Sequence, residues 1–317
     1  MQALVTGVAG FIGSHLAQAL LAEGHTVRGI DCFTPYYDVE AKAANLKELA
    51  DEPQFEFAEA DLRVRDPGGL LSGMDTVFHL AGQPGVRGSW STAFPQYNEH
   101  NILATQRLLE SAKEAGIRRF VFASSSSVYG NAPHHPRIED TFPRPHSPYG
   151  ATKLAAEHLC NMYADNWGVP AVSLRYFTVY GPRQRPDMAI HRLVQAGVSG
   201  EPFTLFGTGR QVRDFTFVGD AVRATIAAAT VDLAPGTVLN VSGGSSTNMA
   251  DLVDLVGDVL GTTVRVVRLM AQAGDVAREG GSTERAAALL GWEPLVGLRP
   301  GVEQQVNWHL RRAGVRV

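Results

Sequence analysis

Cysteine is nearly absent from this sequence: Cys32 and Cys160 are the two in 317 residues. That excludes a disulfide framework and a cysteine-based zinc site, and each thiol reads as a small buried apolar residue in a reducing compartment. No apolar run approaches the length that crosses a bilayer. MQALVTG opens as a strand without a basic and then apolar leader, so the protein is expected to be cytoplasmic and to have no membrane partner. An excess of positive charge is missing too. Lys and Arg total 28 against 32 Asp and Glu, a formal net charge of −4, which argues against a nucleic-acid surface and its basic field. Any anionic ligand must therefore be met by local groups. With 44% hydrophobic and 19% charged residues, and no internal repeat or low-complexity tail, the chain can bury one large core or two unequal ones.

Short apolar runs alternate with helical patterns along the first half. Residues 3–6, 26–31, 55–60, 76–80, 120–123 and 172–176 read as strands, and residues 14–23, 98–115 and 149–167 as helices. The alternation implies right-handed crossovers and a Rossmann-type, doubly wound parallel α/β sheet covered on both faces. After residue 177 the pattern loosens into a Gly/Pro-rich loop, a short helix and further fragments. The expected organisation is a nucleotide-binding domain over residues 1–176 and a smaller C-terminal substrate lobe over residues 177–317, with about 210–240 returning to the first domain. The alanine-rich stretch 220–230 and the apolar faces near 252–260 read as core.

The stretch TGVAGFIG carries the first chemistry. Gly7, Gly10 and Gly13 recur every three residues between a strand and a helix expected to begin at Ser14, with Phe11 and Ile12 between them. Bare backbone N–H groups at that helix start suit a pyrophosphate. Asp31 follows Gly13 by 18 residues, at a strand end where a carboxylate accepts both ribose hydroxyls of NAD and repels the extra phosphate of NADP. Asp61 and Leu62 in ADL, and Leu80, Ala81 and Gly82 in HLAG, close two further strands where adenine and the second ribose belong; simple strand termini would look the same.

The second motif is SPYGATK. Tyr149 and Lys153 are four apart and stack on one helix face, so an ammonium can lie beneath a phenol. A free tyrosine has a pKa of about 10; a neighbouring cation together with a positive nicotinamide ring lowers it and makes the tyrosinate an accessible base. Alone, such a pair reads as a solvated helix face. Joined to the glycine turn and to ASSSSVYG, whose hydroxyls at residues 124–127 end another strand, it reads as alcohol oxidation with a hydroxyl holding the substrate oxygen.

With TGVAGFIG, SSSSVYG, YGATK and RYFTVYGP in this order, the chain resembles, over essentially its whole length, the extended short-chain dehydrogenase/reductase superfamily, in its nucleotide-sugar epimerase and dehydratase branch. The resemblance implies Ser125 as the catalytic hydroxyl beside Tyr149 and Lys153, places Gln83, Asn101 and Tyr176 near the cofactor, and implies a homodimer built on the helices around 98–115 and 149–167. The 4,6-dehydratases carry an Asp-Glu pair where Ser126 and Ser127 stand, and the uronate decarboxylases a glutamate at Ser127. Galactose epimerases have an asparagine where Thr178 follows RYF. Thr178 with Arg185, together with PYYDVEAKAANL and QAGDV, resembles the UDP-glucuronic acid 4-epimerases.

That resemblance gives RYFTVYGPRQRPDM a purpose. Arg185 can clamp a uronate carboxylate bidentately with Thr178 donating a hydroxyl, and a held carboxylate resists loss of CO2 from the β-keto acid formed on oxidation at C4. Arg183 and Arg185 also suit plain solvation or the diphosphate, and Arg192 adds a third cation. Arg213 is the preferred diphosphate contact, Phe206 a face for uracil, and Asp275 belongs to a turn without the arginine many relatives carry there. The expected activity is NAD-dependent 4-epimerisation of a UDP-sugar, first of all UDP-glucuronate. UDP-glucose epimerisation, UDP-glucuronate decarboxylation and a non-catalytic NAD sensor on the same fold are the alternatives. HHPRIED and His146 read as surface rather than metal ligands, and Asp214 and Asp220 as structural.

Overall fold

Every residue of Arg119–Ser125 and of Ala171–Tyr176 is buried, as central parallel strands covered on both faces must be. A computed structural model describes residues 1–314. Its strands in chain order are β1 (Gln2–Thr6), β2 (Thr26–Asp31), β3 (Phe55–Glu59), β4 (Thr76–His79), β5 (Arg119–Ser125), β6 (Ala171–Tyr176), β7 (Thr178–Tyr180), β8 (Phe203–Phe206), β9 (Val212–Phe217), β10 (Val238–Val241), β11 (Ser246–Asn248) and β12 (Val266–Leu269). Seven of them form one parallel sheet in the order β10-β6-β5-β4-β1-β2-β3. This is the doubly wound Rossmann arrangement. The order reverses between β1 and β4, which opens a crevice at the strands' carboxyl ends.

Two boundaries matter for the site, and the first differs from the sequence expectation. The first helix is Phe11–Ala22, not residues 14–23, because Gly10 is already extended at its N-cap and Gly13 lies inside the first turns. RYFTVY divides at Phe177, where the expected strand over 172–176 ends: β6 pairs with β5 and β10, whereas β7 pairs with β9 in a separate sheet ordered β11-β9-β7. The chain thus leaves the main sheet where its motif begins to serve the second lobe. That lobe holds β8 paired with β12 and the helices Ala189–Ser199, Met249–Leu260 and Leu298–Arg312. Between these elements, Val218–Thr230 packs on Phe11–Ala22 and β10 joins the main sheet beside β6.

The helix Pro148–Trp167 is delimited by its own residues. Ser147 caps it by accepting from the Gly150 N–H at 3.1 Å, Pro148 supplies the first helical φ, and Gly168 ends it at φ 66°. Its sheet-facing side is tied down by polar bonds. Glu157 pairs with Arg175 of β6 at 2.5 Å, both side chains being almost wholly buried, and accepts from Ser124 Oγ at 2.6 Å. Arg175 also donates to Tyr129 Oη at 2.8 Å, and Tyr129 donates to Asn240 at 2.7 Å. Removing one member leaves a buried charge without its partner. Glu157→Ala is therefore expected to cost about 3–5 kcal/mol in denaturant unfolding, and Glu157→Met with Arg175→Met to recover a large part of that loss.

Candidate active site

The crevice is a cavity of about 570 Å³ running from the glycine turn to the ends of β5 and β6. Gly7 sits at φ +71°, and a Cβ there would meet the Ala81 nitrogen at 2.9 Å; a Cβ on Gly13 would lie 2.2 Å from the Gly7 carbonyl. Only glycine permits both approaches. Gly10, Phe11 and Ile12 complete this wall, and the helix start carries no side-chain cap. At the tip of β2 the Asp31 carboxylate accepts from the Ala9 N–H at 3.1 Å and the Phe33 N–H at 2.9 Å, which fixes it in the cavity lining. Asp61 and Leu62 line the same end. Arg63 forks onto Asp61 with its guanidinium 2.7 Å away, and that bond holds the carboxyl below its ordinary range. Leu80, Ala81 and Gly82 form the floor.

Asn101 does not line the cavity. It lies in one wider π-helical turn, Glu99–Leu103, accepts from the Gln83 N–H at 2.7 Å and donates to Thr152 at 3.0 Å. It braces Gln83, which lines the cavity and whose buried Oε1 has no hydrogen-bond partner among the described residues.

Tyr149, Lys153 and Ser125 meet at the centre. Lys153 Nζ donates to the Ala123 carbonyl at 2.9 Å, and burial lowers its pKa to about 8. Burial raises the Tyr149 phenol, while a hydrogen bond with Ser125 and the charge of Arg185 pull it back down. Tyr97 packs edge-on to the Tyr149 ring at 6.3 Å, and Tyr176 lines the wall behind. The Ser127 N–H donates to Ser125 Oγ at 3.1 Å, which orients that hydroxyl.

Beyond this centre three guanidinium groups, those of Arg185, Arg87 and Arg213, each stand beside an acid. Arg185 forks onto Asp187 at 3.0 and 3.1 Å, and Tyr36 donates to the same carboxylate at 3.3 Å. Arg87 reaches Asp275 at 2.9 Å and lies over the Phe206 ring at 4.2 Å, so a cation supplied from after β4 occupies the turn that has none of its own. Arg213 approaches Glu279 at 3.8 Å, and Arg192 lines the wall beside Phe203. Glu279 also accepts from the hydroxyls of Ser126 and, at 3.3 Å, Thr178. An acid therefore stands beside the serine run after all. Sequence reading missed it, as it missed Arg87, because neither residue lies in a motif.

Other expectations shift. Arg183 turns away to Glu48 and Gln18 and is buried there, neither solvated nor at the cavity. HHPRIED is only partly surface: Arg137 and Glu139 are buried, Glu139 accepting from the Asn240 N–H at 2.8 Å. Asp220 caps the Leu295 and Val296 N–H groups at 3.0 Å, and burial raises Asp214 to about 6 while it accepts from the Gly243 N–H at 2.8 Å. Among the described residues no group of three His, Cys, Asp or Glu is arranged to hold a metal, and no helix is long and apolar enough to cross a membrane.

Residues 3–242 match the family described as "NAD dependent epimerase/dehydratase family". The chain belongs to that family. It is 43% identical over 309 residues to the uncharacterized UDP-glucose epimerase YtcB of Bacillus subtilis, covering 97% of this chain and 98% of that one. The UDP-glucuronic acid 4-epimerase of Bacillus cereus, solved with UDP-glucuronic acid and NAD, superposes with a TM-score of 0.96 at 41% identity over 98% of this chain and all (100%) of that one. MoeE5, solved with NAD and either UDP-glucuronic acid or UDP-glucose, matches with a TM-score of 0.90 at 41% identity over 98–99% of this chain and 100% of that one.

The cofactor of this family member is NAD, and its residues fit that group. The glycine turn leaves room for backbone contact with a pyrophosphate, Asp31 stands where a ribose diol would bond, and the orphan Gln83 Oε1 can accept from a ligand donor. If Asp31 faces the ribose, Asp31→Ala should narrow the preference for NAD over NADP by on the order of tenfold or more. A titration in which the wild type binds both equally would remove Asp31 from that role.

Proposed function

We propose that the protein interconverts the C4 epimers of a UDP-sugar, and that UDP-glucuronate and UDP-galacturonate are the pair it handles. One observation carries this reading: Arg185 and Thr178, from the second lobe, come to the same end of the cavity as Tyr149 and Ser125. NAD supplies the reversible hydride acceptor for C4. The chain's own groups do the rest. Tyr149 takes the C4 hydroxyl proton and gives it back, Ser125 bonds the same oxygen, and Lys153 anchors the ribose side from its place on the Ala123 carbonyl. Arg185 holds the carboxylate on C5 out of line with the C4 carbonyl, which keeps the β-keto acid from losing CO2. Arg87, Arg192 and Arg213 form the cationic end suited to a diphosphate. Leu103, Met162 and Trp167 remain exposed on the helices flanking the site and suit a second copy of the chain.

UDP-glucose is the second reading, and Glu279 favours it, because a carboxylate beside Thr178 is poor company for a uronate.

Tyr149→Phe should retain NAD and UDP-sugar binding yet lose roughly 10²–10⁴ in turnover, the usual worth of a positioned proton transfer. Near-wild-type turnover would exclude Tyr149 as the base. Arg185→Ala should lose about 2–4 kcal/mol of transition-state stabilisation with UDP-glucuronate and little with UDP-glucose. Mass spectrometry should also find some UDP-4-keto-pentose. An equal loss on both sugars would assign Arg185 to the diphosphate or to its loop.

A further inference from the structure

We infer that Glu279 sets the substrate range of this site, weakening its hold on a carboxylate on C5 of the sugar so that a hydroxymethyl group is accepted there as well. The placement of the sugar rests on the 4-epimerase reading above. The Glu279 side chain is held where it is. Its N–H donates to the Val212 carbonyl at 3.0 Å, and the following residues pair with Arg137, whose N–H donates to Gly280 at 2.9 Å and whose carbonyl accepts from Ser282 at 2.8 Å. Segment 278–282 is thus pinned between β9 and the 137 loop, and Glu279 is 8% exposed. Its two carboxylate oxygens accept from two hydroxyls, those of Ser126 and Thr178. Arg213 Nε, at 3.8 Å, is beyond hydrogen-bonding distance.

Hydrogen-bond counting then decides what the sugar meets. A hydroxyl has one proton to donate and lone pairs to accept with. Ser126 and Thr178 give that proton to Glu279, so toward a ligand they present acceptors. A uronate carboxylate, which only accepts, finds no donor in either hydroxyl and a like charge behind them. A hydroxymethyl group can donate to any of the three. The Arg185 fork, which lines the same cavity, is itself engaged by Asp187. The site is thereby tuned to take both sugars instead of the uronate alone.

The test is calorimetric titration of the NAD-loaded protein with UDP-glucuronate, UDP-glucose and UDP, for the wild type and for Glu279→Gln. The glutamine keeps the shape and one acceptor but carries no charge. It should tighten UDP-glucuronate relative to UDP-glucose on the order of tenfold, the scale of one like-charge contact in a partly desolvated site, and leave UDP alone. Glu279→Ala, which needs no replacement hydrogen bonds, should move the ratio the same way. A ratio unchanged in both variants, or one that falls, overturns the inference. Conversion to the 4-epimer is followed in the same samples. A shifted binding ratio without any conversion would retire the epimerase reading and keep Glu279 as the selector; conversion with an unshifted ratio would do the reverse.

Discussion

The buried pair between Glu157 and Arg175 is the interaction on which the site depends. Tyr149, Lys153 and Glu157 follow one another at four-residue spacing and so share the sheet-facing side of their helix. Glu157 binds Arg175 of β6 and Ser124 of β5, and Lys153 binds the Ala123 carbonyl of β5. The helix is therefore stitched to two adjacent strands within two residues of Ser125. A pair this deep contributes less to net stability than to register, since apolar residues of the same volume could fill the space about as well. What they could not do is set the phenol against the Ser125 hydroxyl.

The far end of the cavity, where Thr178 and Arg185 stand, exists because the chain changes sheets at Phe177. Up to Tyr176 the backbone pairs with β5; from Thr178 it pairs with β9. The same run of residues thus contributes a wall of the cofactor crevice and then the first group of the second lobe. Gly181 then adopts φ 139°, with the Val218 side chain within 2.7 Å of where a Cβ would stand, and releases the chain into the loop that carries Arg185.

Electrostatically the protein resolves an apparent conflict. A net charge of −4 disfavours anions at long range, and three of the arginines that line the cavity each stand beside a carboxylate: Arg185 by Asp187, Arg87 by Asp275, Arg213 by Glu279. Asp187 and Asp275 hydrogen-bond their guanidinium groups and hold them in position, so that on the proposed reading binding of an anionic ligand would be an exchange of partners. Stray anions gain little from such an exchange, whereas a ligand that engages several arginines at once gains from each. This is specificity built by opposing charge as much as by attraction.

The parts of this protein that the sequence determined by itself are the ones set by short-range geometry. Three-residue glycine spacing, a carboxylate at a strand end, a phenol and an amine four apart, and a Ser-Pro start with a Gly stop on one helix depend on φ/ψ preferences and helical period, which neighbours in sequence dictate. Even there, the helix start at Phe11 was hidden, because only the close packing of Gly13 on Gly7 shows that the turn ends at Gly10. Tertiary structure alone decided the rest. Glu279 reaches Ser126 across 153 residues, Arg87 reaches Asp275 across 188, and Asn101 proved to brace Gln83 instead of facing the cavity. No local pattern announces such meetings, because β-pairing and loop docking set them, and each has a single Arg, Glu or Asn whose side chain would suit a solvated surface equally well.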